Sequence, residues 1–511
     1  MSSQPAPLPR QRKLGKHGEL RGLGRAGRSP LFEGRFGRMF RTLPPAQFTE
    51  SDIPALVQLA KGMTAALDDP PTPETEADDE ENTGISAGYT YLGQFIDHDI
   101  TFDPASSLQK QDDPEALTDY RTPRFDLDNL YGRGPDDQPY LYRDDGRRFL
   151  LGDPLVGNDN DKNARGVPRN SPVQGERARA ILGDPRNDEN VIVSQLHASM
   201  LRFHNRMIDV LGDGASFEEV QQSVRWHYQW VVLNDFLPTI IGEDTWKSIL
   251  PHIVKGTTVR EDPPQLKFYK WRNEGFMPVE FSVAAYRFGH SMIRPIYRLN
   301  TKMENRLTIF PGLLGFEPFA AKQAIDWRLF FKVGDPPETG PKRVQPAYKI
   351  DTSLVNPLRN LPAIVAHDPS SLPARNLIRG FRMSLPSGQE VARFMGETPI
   401  DDKDLRVGKA TKADTPNNKP LADISPVFKG NAPLWFYVLA EAQQQFKTDK
   451  TPLHLGPVGG RIVGEVIVGL MLADSHSFLR QRPGFQPRED FQSNRQFKMS
   501  DLLRQATLAE P

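Results

Sequence analysis

The chain has no cysteine. That excludes disulfides, a thiolate nucleophile and any cysteine-ligated zinc or iron–sulfur centre, so metal chemistry must run through histidine, carboxylates, carbonyls or a prosthetic group. Net charge is missing as well: 64 Lys and Arg stand against 65 Asp and Glu over 511 residues, which argues against a nucleic-acid binder driven by whole-chain electrostatics. Acids are scarce at the start, where Met1 to Arg41 holds only Glu19 and Glu33 among many Arg, Lys, Gly and Pro. The same stretch has no apolar run of signal-peptide length and no twin-arginine pair, so the reading is a protein without a classical leader, cytoplasmic or exported without one. No membrane span is expected either. The most apolar late segment, Val463 to Leu479, contains Glu465, Asp474 and His476 and reads as a buried helix.

The length exceeds one ordinary core. Residues 1–45 read as a basic N-terminal arm, mostly solvated, with Phe32, Phe36, Met39 and Phe40 spaced so that its end packs on the body. Residues 46–511 read as the folded domain. Within it, Asp68 to Glu81 and Lys403 to Lys419 are polar loops or linkers, and Asp112 to Gln174 is turn-rich. Helical periodicity is strong at Val191 to Leu211, where Ile192, Leu196, Met200, Phe203, Met207 and Leu211 recur every three or four residues. Trp226 to Leu237 and Phe281 to Ile296 read as helical too. Strand-like alternation is scarce and no fixed-period repeat is present, so the fold class is mainly α with long irregular connections.

Four stretches carry chemistry. In Gly93 to Asp103 a helix would put Gln94, Asp97 and His98 on one face and Phe95, Ile96 and Ile100 elsewhere; burying three such polar groups requires a partner. Gly183-Asp-Pro-Arg-Asn-Asp-Glu189 precedes a helix, where Asp188 or Glu189 also suits capping alone. In Ala285 to Pro295, Arg287 and His290 lie three apart, and Gly289 leaves room for something flat and close. Thr122 to Asp128 offers alternating oxygen ligands of the kind a hard cation takes.

In this order, the four stretches resemble the animal-type haem peroxidase superfamily, the group of myeloperoxidase, lactoperoxidase and their bacterial relatives. The resemblance extends from about Gly88 past Asn376 to the late Gly-rich helix, and includes the helix Gln195 to Arg206 and the segment Leu372 to Gly380. It implies a helical peroxidase fold and haem as cofactor. His98 matches the distal histidine, Gln94 its polar neighbour and Arg186 the distal arginine. His290 matches the axial iron ligand and Asn376 the acceptor of its Nδ1–H. Arg287 and Arg379 suit haem propionates or structural ion pairs. Asp97 and Glu189 match the carboxylates that become ester-linked to haem in mammalian members; the next position, Asn190, is not the methionine of myeloperoxidase, so no sulfonium link is expected. Asp99, Thr122, Arg124 through its carbonyl, Asp126 and Asp128 match a Ca²⁺ site.

The function implied is reduction of hydrogen peroxide through a ferryl intermediate, with oxidation of small aromatic donors or of halide and thiocyanate, in the setting of oxidative stress. Alternatives are a fatty-acid oxygenase and a non-catalytic haem-binding protein. The radical-forming tyrosine of the dioxygenase relatives falls at Arg287 here, with Tyr286 one place away, which weakens the first. The oligomeric state is open. His197, His204, His227, His252, His367, His454 and His476 show no constellation and read as structural.

Overall fold

The computed structural model describes residues 34–67, 77–102, 118–271, 274–303, 307–366, 368–448 and 452–509. The arm up to residue 33, the acidic loop from Asp68 through residue 76, Asp103, the start of the turn-rich stretch from Asp112 through residue 117, and His367 lie outside them.

The described chain is mainly helical, as the periodicity predicts. The principal helices are α1 (Ile53–Gly62), α2 (Gly88–Ile100), α3 (Val191–Leu211), α4 (Phe217–Val231), α5 (Leu237–Ile241), α6 (Leu372–Arg382), α7 (Gly388–Met395), α8 (Leu434–Gln443), α9 (Pro457–Ala473) and α10 (Met499–Thr507). Helix α3 is the centre, packing on α2, α4 and α10. Its stripe Ile192, Leu196, Met200, Phe203 and Met207 is fully buried, while Leu211, at the last turn, is exposed. The helix begins where Asn190 Oδ1 accepts the Ile192 N–H at 2.8 Å and stops at Gly212, whose φ of 82° a side chain would resist. On the other side α8 joins α9, α7 and α6, and α6 packs on α1.

Two elements depart from α geometry, and both serve the site. Between α4 and α5, residues Val232–Phe236 form a π-helical turn. Pro238 explains the widening, because it has no N–H for the regular ladder. The segment expected to be helical from Phe281 to Ile296 is instead a π-helical turn, Glu280–Ala284, followed by a 3₁₀ helix, Ala285–His290. It ends six residues early because Pro295 disfavours helical geometry at Arg294, and Ile296–Tyr297 turn into a short strand. The late apolar segment also breaks sooner than expected. Helix α9 stops at Ala473, Asp474 Oδ1 accepts the His476 N–H at 3.0 Å, and a short helix restarts at Phe478, so Asp474 and His476 lie in a turn.

Strands are few and short. β1 (Gly34–Gly37) runs antiparallel to β3 (Thr118–Asp119) and parallel to β4 (Met277–Pro278), and β2 (Glu81–Ser86) pairs antiparallel with β5 (Pro346–Tyr348). Phe36, Met39 and Phe40 are buried, and the Glu280 carboxylate accepts the N–H groups of Met39 and Phe40 at 2.9 and 3.1 Å. The end of the segment read as an arm is thus fixed to the π turn that leads to His290. At the start of β2, buried Glu81 pairs with Arg294 at 2.8 Å and with Arg343, anchoring the chain just after the 3₁₀ helix.

Candidate active site

Helix α2 presents its polar residues three and four apart. Thr90, Gly93, Gln94, Asp97, His98 and Thr101 face a cavity of about 440 Å³, while Phe95, Ile96 and Ile100 are buried in the core behind. The same cavity is lined by Arg186 and Glu189 from the turn before α3, by Arg287, Gly289 and His290 from the 3₁₀ helix, and by Arg379 from α6. In a 3₁₀ helix residues three apart eclipse, which puts Arg287 and His290 on one side. Gln94, Asp97, His98, Arg186, Glu189, Arg287, His290 and Arg379, scattered over almost 300 positions, therefore meet in one place.

His98 is fixed from behind. Its Nδ1–H donates to Asn187 Oδ1 at 2.7 Å, and Asn187 Nδ2 donates to His197 Nδ1 at 3.0 Å. With its carbonyl toward His98 and its NH₂ toward His197, Asn187 can only accept from the first ring and donate to the second, which places the His98 proton on Nδ1 and leaves Nε2 as a base. Burial, with Arg186 in second place, lowers the His98 pKa to about 4, so the ring is neutral at ordinary pH. Asn187 was not singled out from the sequence, and His197, read as structural, stands behind His98.

Arg186 lines the cavity but does not stand alone. Its Nη2 donates to the carbonyls of His98 at 3.1 Å and Thr101 at 2.5 Å and pairs with Asp184 at 2.8 Å, and the guanidinium lies 4.5 Å from the Phe102 ring centroid. Asp184 also binds Arg121 at 2.6 Å; burial would raise its pKa, but Arg186 and Arg121 outweigh that and hold it well below the carboxylate range. Glu189 has the opposite balance. Burial raises its pKa to about 7 against the pull of Arg186. Asn190, also at the cavity, is the cap of α3.

On the other side, Asn376 lies directly behind His290, with Nδ2 2.7 Å from Nδ1. The expected direction of this bond is reversed. Arg287 Nη1 donates to Asn376 Oδ1 at 2.6 Å, and because a guanidinium can only donate, it claims the single amide carbonyl and turns the NH₂ toward His290. His290 then accepts at Nδ1 and carries its proton on Nε2. Burial, then Arg287, lowers its pKa to about 3.

The residues fit a haem. A cavity with apolar walls from Phe288, Phe310, Leu358 and Val365 holds imidazoles from two separate elements and two arginines for carboxylate arms. A Cβ built on Gly289 would meet nothing within 4 Å, so room lies open beside His290.

A second cluster adjoins the first. Asp99, Asp126 and Asp128 bring carboxylate oxygens within 4.8 Å of one another, and both oxygens of buried Asp99 have no hydrogen-bond partner. Burial and the neighbouring carboxylates push Asp99 well up and Asp128 to about 8, a cost that a bound cation would remove. Thr122 Oγ1 donates to Asp126 Oδ2 at 2.9 Å, and the Arg124 N–H donates to the Thr122 carbonyl at 2.7 Å, so both belong to the same loop. Arg121 links the clusters. It lies 3.7 Å from Asp128 and 2.6 Å from Asp184, giving a row of alternating charge: Asp128, Arg121, Asp184, Arg186.

His204 bonds Tyr131 Oη at 2.9 Å and the Arg147 carbonyl at 2.9 Å, and His227 bonds the Ser223 carbonyl at 2.7 Å; both are ties within the core. His252, His454 and His476 do not line the cavity.

A model of the family described as animal haem peroxidase matches residues 105–504. The chain is 26% identical over 278 residues to thyroid peroxidase of Rattus norvegicus, covering 51% of this chain and 28% of that protein. To peroxidase mlt-7 of Caenorhabditis elegans it is 24% identical over 330 residues, covering 60% of this chain and 41% of that protein. It thus spans well under half the length of these relatives. Among solved structures, peroxidase A of Dictyostelium discoideum aligns with a TM-score of 0.59 at 15% identity, covering 91% of this chain and 89% of that one. A fatty acid alpha-dioxygenase of Oryza sativa aligns at 0.54 and 14% identity, covering 91% and 78%. Both likenesses are of fold.

Proposed function

Because the chain belongs to the animal haem peroxidase family, we propose that it binds haem between His98 and His290 and reduces hydrogen peroxide, taking electrons from a small aromatic donor, halide or thiocyanate. The observation that carries this reading is the His98–Asn187–His197 relay, which holds a neutral imidazole with its basic nitrogen available to the cavity. When bound, the haem iron supplies the redox centre on which peroxide is cleaved. His98 Nε2 takes a proton from one peroxide oxygen and returns it to the other, while Asn187 keeps the second ring nitrogen occupied. Arg186 sets positive charge beside that transfer, tempered by Asp184. Gln94 adds an amide on the same face of α2.

On the opposite side His290 would hold the iron through Nε2, which would require its proton on Nδ1 and the Asn376 carbonyl turned toward it. Arg287 would then exchange Asn376 for an anionic partner, and Arg287 and Arg379 would receive the haem carboxylates. Asp97 and Glu189 line the cavity and are the carboxyls that would form esters to the haem; burial raises the Glu189 pKa to about 7. Asp99, Asp126, Asp128, Thr122 Oγ1 and the Arg124 carbonyl would hold Ca²⁺. The place a dioxygenase gives to its radical tyrosine is taken by Arg287, which weighs against lipid oxygenation.

The test is absorption spectroscopy of the haem-loaded protein before and after one equivalent of hydrogen peroxide. The ferric band should convert. In His98→Ala it should persist and convert at least about 100-fold more slowly, and His290→Ala should lose the native band. Unchanged conversion in His98→Ala removes its role, and oxygen uptake with a fatty acid but no peroxide turnover would move the reading to an oxygenase.

A further inference from the structure

Three tyrosines line the cavity, and their hydroxyls differ in what they touch. Tyr286 Oη donates to the Gly93 carbonyl at 3.2 Å, a group that cannot take up a proton at any accessible pH. The Tyr91 ring packs edge-on against Tyr297, with centroids 5.4 Å apart. Tyr89 Oη donates to Asp235 Oδ1 at 2.7 Å. Asp235 is 4% exposed and sits in the π-helical turn between α4 and α5; its other oxygen accepts the Met499 N–H at 2.8 Å, so the carboxylate is fixed with one oxygen aimed at the phenol. Among the described residues that line the cavity, this is the tyrosine hydrogen-bonded to a carboxylate.

A phenol gives up an electron far more readily when its proton passes at the same time to a base already in contact with it. Tyr89 has that base, on a turn of the kind that recurs at functional sites. We infer that Tyr89 is a redox-active residue of the cavity, giving one electron to the peroxide-oxidised haem and its phenolic proton to Asp235. The inference rests on the peroxidase reading above. In the step the O–H bond of Tyr89 breaks, an O–H bond forms at Asp235 Oδ1, the oxidised cofactor gains one electron, and a neutral tyrosyl radical remains. Hydrogen peroxide is the oxidant and is reduced to water. A phenolic donor from solution then gives an electron to the radical and its own proton to solvent, and Asp235 returns the stored proton. Tyr89 is thereby a relay that keeps the oxidising equivalent at the cavity wall until a donor arrives.

The test is electron paramagnetic resonance of the haem-loaded protein frozen after mixing with hydrogen peroxide, on material grown with ordinary or ring-deuterated tyrosine. Each variant is first matched to the wild-type ferric band. The wild type and Tyr286→Phe should give a radical signal that narrows on deuteration. Tyr89→Phe, which keeps the ring and its packing, should lose it, and Asp235→Asn should lower it by about tenfold or more for want of a charged acceptor. A deuterium-sensitive signal that survives in Tyr89→Phe overturns the inference. So does a wild type whose ferric band converts with peroxide while no tyrosyl signal forms. A ferric band indifferent to peroxide overturns the peroxidase reading and this inference with it.

Discussion

At the scale of single residues, the site depends on which ring nitrogen carries a proton. His98 stays neutral down to about pH 4 because burial, and then Arg186, disfavour its charged form. A base must be unprotonated to act, so the rate of reaction with peroxide should hold at neutral pH and fall as the pH drops through that value, measured by stopped-flow absorbance. Asn187 is a positioning residue for the same nitrogen. Asn187→Ala should slow the reaction roughly 10- to 100-fold, as loss of an orienting partner does, with the ferric band unchanged. Asn187→Asp should restore the rate and move the acid limb upward, since a carboxylate favours the protonated ring. A purely structural Asn187 would leave that limb in place. His98 was legible because a histidine flanked by acids in an apolar helix needs a reason. Asn187 was not, because its meaning comes from two rings brought to it by folding, one of them 89 positions away.

At the scale of elements, α2 ties two sites together. One face carries Gln94, Asp97 and His98 to the cavity, and Asp99, the next residue, turns to the carboxylate cluster. Chelation of divalent cations should therefore lower the melting temperature and also alter the ferric band; a change in one without the other would separate the sites. For α3 the sequence marked the span, Val191 to Leu211, but the cap is Asn190 and not Asp188 or Glu189. Asn190→Ala should cost about 1 kcal/mol in denaturant unfolding, the usual worth of a side-chain cap. The 3₁₀ helix before His290 was harder to read. Over so few residues, periods of 3.0 and 3.6 select almost the same positions, and only Pro295 announced the early end. Arg287 and His290 share a face under either period, so both line the cavity although the element that carries them was read as a longer helix. The reversed amide of Asn376 had no signal in the sequence, because it follows from Arg287 competing for one oxygen.

At the scale of the whole molecule, buried neutral histidines make stability depend on pH. His227, packed among Phe203, Phe485, Phe491 and Phe497, has its pKa lowered to about 4, with burial as the main cause. The unfolded chain takes up that proton near pH 6.5 and the folded one does not, so the stability His227 provides above that pH is lost as pH falls from 6.5 through 4. His227→Gln should flatten this loss, by roughly 3 kcal/mol between pH 7 and pH 4 in the difference between the two unfolding profiles. The difference is the diagnostic quantity because Glu441, raised to about 7 by burial, works the other way, its cost appearing as pH rises from 4.5 toward 7. The row Asp128, Arg121, Asp184 and Arg186 belongs to this scale too. Each charge in it is tolerated because of its neighbours, so the effect of replacing one depends on what stands beside it. Evolution cannot then alter the carboxylate cluster and the cavity of His98 independently: what a change at one end of the row costs depends on what stands at the other, and the order of substitutions becomes part of what the fold inherits.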